Sequence, residues 1–341
     1  MIPARAIPST ATTAASVLAL SGGVGGAKLS LGLERVLGGE RLTVLVNTGD
    51  DFWHLGLRIC PDIDTTLYTL AGVSHSEQGW GRAEESFGVL AELTRLGFES
   101  WFRLGDRDLA LHLERTRRLQ QGESLTEVTA ALACALGVRA RLWPMCDAPV
   151  ATRVRTAQGW LGFQDYFVRE RCGPAVTALE YAGVESAAAP AGLAPLLASG
   201  ELRAIVVCPS NPWLSIDPVL AVPGLRAQLR AAGVPIVAVS PLIAGRAVKG
   251  PTAKLMAELG IPVGQAAIAA HYVDFIDGLV VDVGDADEWA ASAATSWPSV
   301  RVKFVPTLMQ SLADRERLAQ QVLAFADELR EDAAVRCEGG L

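Results

Sequence analysis

The feature that most constrains the fold is a short apolar run followed directly by a cluster of glycines. Residues 16–21 read SVLALS, and Gly-Gly-Val-Gly-Gly follows at 22–26. A run this short and apolar is typical of a parallel strand buried on both faces. Apolar residues at helical spacing continue from Ala27 to Leu37, and Leu42–Val46 is a second buried strand. Strand, glycine loop, helix and strand in this order predict a doubly wound, Rossmann-like α/β fold with a mostly parallel sheet.

The same pattern returns in the second half of the chain. Strands are predicted over Leu202–Val207, Ile236–Ser240, Leu279–Val283 and Val302–Val305, and a last helix over Leu312–Leu329. Residues 48–82 look like a long loop region with a short helix near Asp64–Leu70. Residues 83–181 form a predicted insertion with three helices (Ala83–Leu96, Asp106–Gln121, Leu125–Leu136) and a hairpin (Ala151–Thr156 with Trp160–Phe167). We expect a single α/β domain over residues 16–341 and a disordered extension over residues 1–15.

Composition excludes several classes of function. The 341 residues include 30 Lys and Arg against 37 Asp and Glu, so the net charge is −7 and no basic face for nucleic acid is expected. No apolar run approaches the about 18 residues of a membrane-spanning helix. The six cysteines form no CxxC pair, and the four histidines show no metal-ligand spacing. These features predict a cytoplasmic protein that binds neither nucleic acid nor membrane.

The glycine cluster is the first candidate binding site. Glycines between a strand and a helix let backbone N–H groups approach an anion. The candidate phosphate-binding residues are Gly22, Gly23, Gly25, Gly26 and Lys28. A Walker loop is excluded because Leu29 follows the lysine, and a dinucleotide fingerprint that starts at Gly23 would need glycine where Lys28 stands. A tight turn without a ligand is the alternative.

Four aspartates form the second candidate site. Asp50 and Asp51 follow the second strand, and Asp62 and Asp64 stand in Cys-Pro-Asp-Ile-Asp-Thr before an apolar helical run. Neighbouring carboxylates repel unless a cation lies between them, and oxygen ligands suit Mg²⁺. The four together therefore predict a Mg²⁺ site. A polar turn at Asp50–Asp51 and a helix N-cap at Asp62 or Asp64 are the alternatives.

Three further segments place polar residues at predicted loop or helix ends. They are Arg103 and Arg107 around Gly105-Asp106, Ser210 and Asn211 in Pro-Ser-Asn-Pro, and Lys249 and Thr252 at the start of a predicted helix Pro251–Leu259. The arginines suit an anionic or aromatic ligand, and the other four suit phosphate contacts. Ordinary turns and a capped helix start explain the same residues equally well. His112, in the middle of a predicted helix, is interpreted as structural.

The order of these blocks resembles the 2-phospho-L-lactate transferase family, whose bacterial members are often described as phosphoenolpyruvate transferases. The resemblance runs from about Val17 to about Gly284. It rests on GGVGGAK, VNTGDD, ICPDIDTTLYTL, LGDRDLALHLERT, LWPMCD, FQDYFVRER, PSNPWLSIDPVL and SPLIAGRAVKGPTAK. The chain departs from the common pattern at Cys146, where many relatives have serine, and at Leu242-Ile243-Ala244.

The resemblance implies a Mg²⁺-dependent transfer of a phospho-acid from its guanosine diphosphate-activated form. The acceptor would be the ribityl hydroxyl of the deazaflavin Fo, and GMP would be released, in biosynthesis of coenzyme F420. The acid is phosphoenolpyruvate, 2-phospho-L-lactate or 3-phosphoglycerate, and the bacterial-looking composition favours the first. Asp64 and Arg103 match acceptor-binding residues, Asp50 a metal-site residue, and Gly22–Gly26 the donor-binding loop. Asp50 or Asp64 would take or orient the hydroxyl proton, and a homodimer is expected.

The alternative is a nucleotide-binding protein of the same fold, of the NAD(P) or nucleotide-sugar type. The glycines would then hold the cofactor, and Asp50 would receive the ribose hydroxyls. Lys28 in place of a fingerprint glycine argues against this alternative, and so does the position of Asp50 beyond the strand end.

Overall fold

The computed structural model describes residues 15–75, 78–99, 101–248, 250–292 and 300–338. The predicted disordered extension, apart from residue 15, lies outside the described residues, and so does Lys249. In the described part of the chain no helix has the length and apolar character needed to cross a bilayer.

The strands include those predicted from the apolar runs. They are β1 (Ser16–Ser21), β2 (Leu42–Val46), β3 (Phe52–His54), β4 (Leu57–Ile59), β5 (Arg141–Pro144), β6 (Ala151–Thr156), β7 (Gly159–Gly162), β8 (Ala178–Ala182), β9 (Leu202–Val207), β10 (Ile236–Val239), β11 (Leu242–Ile243), β12 (Arg246–Ala247), β13 (Gly278–Asp282) and β14 (Arg301–Val305).

The helices flank these strands in sequence. They are α1 (Gly23–Leu37), α2 (Pro61–Leu70), α3 (Gly88–Arg95), α4 (Asp106–Gln120), α5 (Leu125–Ala135), α6 (Leu193–Ala198), α7 (Asp217–Leu220), α8 (Leu225–Ala231), α9 (Thr252–Glu258), α10 (Gln265–Tyr272), α11 (Ala286–Ala291) and α12 (Leu312–Glu338). Single turns of π-helix lie at 165–169 and 212–216.

Seven parallel strands form the central sheet in the order β14-β13-β10-β9-β1-β2-β5. From β1 the chain builds outward through β2 and β5, and from β9 it builds outward in the opposite direction. The strand order therefore reverses between β1 and β9, where Val17 pairs with both Leu42 and Ala204. This doubly wound topology confirms the predicted fold class. In such sheets ligands bind beyond the carboxyl ends of the strands at the reversal point.

Alternate residues of β1 serve the two faces of the sheet. Val17 and Ala19 pack into one buried cluster with α1, α2 and α12, whereas Leu18 and Leu20 pack into a second cluster on the other face. All four side chains are fully buried. Because helices cover both faces, every position of the strand is apolar rather than every second one.

The region predicted as one insertion over 83–181 is divided in two by the sheet. β5 lies within this range, and it is the edge strand next to β2. Helices α3–α5 precede it, and a three-stranded antiparallel sheet, β7-β6-β8, follows. The predicted hairpin is thus present, with a third strand that the sequence analysis did not include. The long loop predicted over 48–82 also contains the β3–β4 hairpin and a longer helix, α2, which starts at Pro61.

Helix α1 starts at Gly23 rather than at Ala27, so the predicted glycine loop is the first turn of this helix. The predicted helix start at Ala27 was too late because glycine has a poor helix propensity. Tertiary packing overrides that propensity here. A Cβ at Gly25 would lie 2.2 Å from the carbonyl oxygen of Pro209, so the turn approaches the end of β9 more closely than any side chain would allow.

A second close approach, between α1 and α12, provides a test of this packing. A Cβ at Gly32 would lie 2.2 Å from the backbone oxygen of Arg315. We expect Gly32→Ala to lower the free energy of unfolding by about 1–3 kcal/mol, because the two helices must separate. Urea denaturation measures this change. Gly88→Ala is the control, since its Cβ would meet only an ordinary 3.4 Å contact. Equal effects of the two substitutions would contradict the packing argument.

Candidate active site

The site begins at the crevice between β1 and β9, where three of the predicted segments meet. The backbone N–H of Gly22 donates a hydrogen bond of 3.2 Å to Ser210 Oγ. Asn211 Nδ2 donates one of 3.1 Å to Thr252 Oγ1 at the start of α9. The glycine segment, the Ser-Asn turn and the start of α9 are therefore next to one another in the structure. Donors at the first turn of a helix are suited to phosphate.

The glycines in this crevice have a packing role as well. A Cβ at Gly22 would lie 2.5 Å from Ser215 Cβ, and one at Gly26 would lie 2.4 Å from Ser21 Oγ. Asn211 Oδ1 accepts hydrogen bonds from Trp213 and Leu214, so this side chain also caps the π-helical turn. Close packing at the turn is thus sufficient to require glycine, and the glycines by themselves do not identify a ligand.

Three predicted binding residues make contacts elsewhere. Lys28 Nζ donates a hydrogen bond of 2.8 Å to the carbonyl of Met309. Arg103 is exposed, and its guanidinium lies 4.1 Å from the ring centre of Phe87. Arg107 lies near Glu84 on the same exposed surface, at 3.4 Å. In this structure these cations are directed at protein groups.

Asp62 is held at the centre of the crevice. Its Oδ1 accepts a hydrogen bond of 2.8 Å from the backbone of Gly23, and its Oδ2 accepts one of 2.9 Å from Asn47 Nδ2. Asn47 in turn accepts the N–H of Gly49 at 2.8 Å, which shapes the loop that follows β2. The carboxylate on α2 is thus attached both to the first turn of α1 and to the loop that carries Asp50.

Asp50 lies beside Asp62, and neither carboxylate has a cationic partner among the described residues. The side chain is buried, and its Oδ1 has no hydrogen-bond partner among the described residues. Burial and the Asp62 carboxylate raise the pKa of Asp50 well above its usual value, and a hydrogen bond with Asn47 opposes part of this rise. Burial also raises the pKa of Asp62. Two buried carboxyl groups with raised pKa values favour binding a proton or a cation.

The other two aspartates are paired with arginines. Asp51 lies 3.3 Å from Arg58 Nη2, and burial nevertheless raises the pKa of Asp51 to about 7. Asp64 faces Arg115, which is fully buried: Nη1 donates to Oδ2 at 3.0 Å, and Nη2 donates to Oδ1. Among the described residues, the four aspartates are therefore divided into one pair without a cationic partner and two carboxylates that each face an arginine.

The pair without a cation fits a Mg²⁺ ion better than the other two aspartates do. Mg²⁺ is usually held by one or two carboxylates, with substrate phosphates and water completing its shell. Asp50 and Asp62 supply two carboxylates, one of them with an unpartnered oxygen. Within the described ranges, no group of three or more His, Cys, Asp and Glu side chains is placed to hold a metal ion by itself. A Mg²⁺ ion held by this pair would therefore need further ligands from water or from a bound group such as a phosphate.

Sequence reasoning missed the residues that support these acids. Asn47 binds Asp62. Arg58 binds Asp51, and Arg115 binds Asp64. The three-stranded antiparallel sheet also supports the loop that carries Asp50, because the backbone N–H of Thr152 in β6 donates to the carbonyl of Gly49 at 2.7 Å. One signal for Arg115 was available in the sequence. Arg115 is four residues after Leu111, so it lies on an apolar face of the predicted helix, and a charged residue on a buried face needs a partner.

A parallel sheet with its crevice at the β1–β9 reversal and carboxylates beside a helix start defines a Rossmann-like α/β protein. The family model described as 2-phospho-L-lactate transferase CofD matches residues 17–313, and the chain belongs to this family. It is therefore a transferase. The phosphoenolpyruvate transferase of Kitasatospora aureofaciens is 40% identical over 321 residues, which cover 92% of this chain and 98% of the relative. The 2-phospho-L-lactate transferase of Methanosarcina mazei is 38% identical over 310 residues, covering 90% and 99%.

Solved structures share the fold at much lower identity. The crystal structure of a UPF0052 family protein from Bacillus halodurans superposes with a TM-score of 0.60 at 15% identity. The match covers 91% of this chain and 99% of that one. At this identity the similarity supports the Rossmann-like fold and carries no information on the reaction.

The raised pKa values predict how stability depends on pH. A carboxyl group whose pKa is raised on folding stabilises the protein at low pH, and this contribution is lost as pH rises through the folded-state pKa. Stability measured with a chelator present should therefore fall as pH rises from the usual carboxyl range, about pH 4, through the pKa values of about 6 for Asp62 and about 7 for Asp51. Asp50→Asn should make this fall shallower, because asparagine does not titrate. Asp287→Asn on the exposed surface of α11 is the control. Parallel curves for Asp50→Asn and the unsubstituted protein would contradict the assignment.

Proposed function

We propose that this protein transfers a phospho-acid group from its guanosine diphosphate-activated form to the ribityl hydroxyl of the deazaflavin Fo, releasing GMP. Phosphoenolpyruvate is the first candidate for the acid, as in the name of the Kitasatospora aureofaciens relative. The alternatives are 2-phospho-L-lactate and 3-phosphoglycerate. The observation that carries the proposal is the Asp50–Asp62 pair beside the first turn of α1, because two carboxylates suited to a cation then lie at a helix N-terminus, where the first N–H groups have no acceptor within the helix.

The donor is proposed to bind along the crevice. The first turn of α1, from Gly22 to Gly26, and the side chains of Ser210 and Thr252 would contact its diphosphate. Asn211 would act mainly by holding the turn that presents Ser210. Lys28 and Lys249 are further candidates for contacts with the donor.

The acceptor is proposed to bind beside Asp64 and Arg103. An aromatic cluster supports this placement, because the segments that carry it lie next to Asp51 and Arg103 in the chain. The ring centres of Phe52 and Phe102 are 4.8 Å apart, and those of His54 and Trp101 are 5.3 Å apart. Aromatic surfaces of this kind stack with planar heterocycles such as a deazaflavin.

The chemistry requires positioning and charge neutralisation rather than a covalent enzyme intermediate. The hydroxyl oxygen forms a bond to the phosphorus of the phospho-acid, and the bond from that phosphorus to the bridging oxygen breaks. GMP leaves with the bridging oxygen, and the proton of the hydroxyl is released. When bound, Mg²⁺ would neutralise the diphosphate charge, and Asp50 and Asp62 would hold it. Asp51 directly follows Asp50 in the sequence, but its carboxylate is paired with Arg58.

The two proposed catalytic aspartates have different roles in this arrangement. Arg115 holds Asp64 through both carboxylate oxygens, so Asp64 suits orientation of the hydroxyl through a hydrogen bond. Asp50 has a raised pKa and no cationic partner in the described residues, so it can take up a proton or share a cation.

A single-turnover assay tests the function directly. The purified protein, Fo and Mg²⁺ are mixed with each of the three guanosine diphosphate donors, and the products are read by mass spectrometry. We expect the mass of Fo plus one phospho-acid, together with GMP, from the phosphoenolpyruvyl donor. The proposal fails if no donor gives a product and Fo does not bind. Stabilisation by NADPH rather than by GDP with Mg²⁺ would then favour the alternative nucleotide-binding function.

The two aspartates can be separated by their ligands. Asp50→Asn and Asp64→Asn should each lower turnover by at least about 100-fold, because each removes a charge at the reacting groups. Asp50→Asn should weaken binding of GDP with Mg²⁺, whereas Asp64→Asn should weaken binding of Fo. Calorimetric titration of each ligand measures this, with Asp287→Asn as the control. Unchanged turnover in either variant at saturating Mg²⁺ would reject its role.

A further inference from the structure

Helix α4 directs a row of polar side chains into the protein. Asp108, His112, Arg115 and Thr116 are spaced as one helix face. His112 and Arg115 are 1% and 0% exposed, although both are polar. A face that binds only through packing would carry apolar residues here, as Leu109 and Leu111 do on the same helix. The polar row therefore needs a specific explanation.

Arg115 holds Asp64 by both oxygens. Its two terminal nitrogens donate to the two carboxylate oxygens in the parallel arrangement that guanidinium and carboxylate groups favour. A two-point contact fixes the plane of the carboxylate as well as its position. The pair joins α4 to α2, which also carries Asp62.

His112 contacts one of the two guanidinium nitrogens that bind Asp64. Its Nδ1 lies 3.1 Å from Arg115 Nη1. Arginine only donates, so Nδ1 must accept, and the ring proton lies on Nε2. Nε2 lies 3.2 Å from Asp108 Oδ1, close enough for an ion-pair contact but without the geometry of a hydrogen bond, and Asp108 Oδ1 accepts a hydrogen bond from the Tyr68 hydroxyl. The series Asp64–Arg115–His112–Asp108 thus leaves little freedom for the guanidinium to rotate.

The same helix face also holds the strand that carries Arg58. Thr116 Oγ1 accepts the N–H of Arg58 at 2.9 Å, and Arg58 pairs with Asp51. Glu85 accepts the N–H groups of Arg107 and Asp108 at the start of α4, both at 2.9 Å. Helix α4 is therefore docked by several contacts besides Arg115.

Buried ion pairs are a poor source of stability, since apolar residues of similar volume often serve as well. Their value lies in fixing geometry. We infer that Arg115 is a positioning residue for the acceptor hydroxyl, which acts by fixing the carboxylate of Asp64, with His112 holding its guanidinium. This inference rests on the proposed function, because it assigns Asp64 to the acceptor.

The first test is Arg115→Lys, which keeps the charge and loses the two-point contact. We expect the Kd of Fo to rise by about tenfold, because a charged hydrogen bond is lost. Turnover should fall by about 100-fold, because a small misplacement of a reacting group has effects of this size. The Kd of GDP with Mg²⁺ should stay unchanged. Arg117→Lys is the matched control, since Arg117 lies on the exposed face of α4 and pairs with Glu114.

The second test asks whether Arg115 acts through Asp64. In the Asp64→Asn background, Arg115→Lys should cause no further loss of Fo affinity, because the interaction is already absent. Arg115→Ala should regain Fo affinity when guanidinium ion is added. A residue that only stabilises the fold would give additive losses, equal losses for both ligands and no rescue, and that pattern would overturn the inference.

A third variant covers the case in which Arg115→Lys does not fold. His112→Gln leaves both charges in place and should weaken Fo binding without affecting GDP binding. No loss of Fo affinity in His112→Gln and Arg115→Lys would overturn the inference while leaving the proposed function intact. If the unsubstituted protein binds no Fo and forms no product, the proposed function fails, and the inference fails with it.

Discussion

The close contact between the first turn of α1 and the end of β9 is the constraint on which the site depends. The sheet is parallel throughout, so all seven strands present their carboxyl ends at one edge, but the order of strands reverses only between β1 and β9. Gly25 allows the backbone of α1 to reach the Pro209 carbonyl. From this contact follow the bond between Gly22 and Ser210 and the position of Asp62 under Gly23.

Electrostatics then distinguishes carboxylates that look alike in the sequence. Asp62 and Asp64 are two residues apart on one helix, yet Asp62 receives neutral donors and Asp64 receives a guanidinium. Asp50 and Asp51 are adjacent, and only Asp51 faces an arginine. Of these four aspartates, Asp50 and Asp62 have no cationic partner among the described residues, which suits a metal whose remaining ligands would come from a phosphorylated substrate.

The sheet and the main site segments could be predicted from the sequence because their signals are local. Apolar runs such as Leu202–Val207 mark buried strands, and the position of Asp50 follows from the strand before it. The predicted start of α1 was wrong because the packing that overrides the poor helix propensity of glycine comes from Pro209, far along the chain. The contact between Arg115 and Asp64 was missed for the same reason. Its partner, Asp64, lies on another helix 51 residues away, and no local pattern records that contact.

The contacts that close the site join distant parts of the chain. Gly22 and Ser210 are 188 residues apart, and the loop after β2 is fastened by Thr152 from the antiparallel sheet. Contacts between residues so far apart form late in folding, because a long loop must close before they contribute. The nascent chain thus carries its aspartates for most of synthesis without an assembled site. The crevice of the proposed site is complete only once the strands on both sides of β1 have joined.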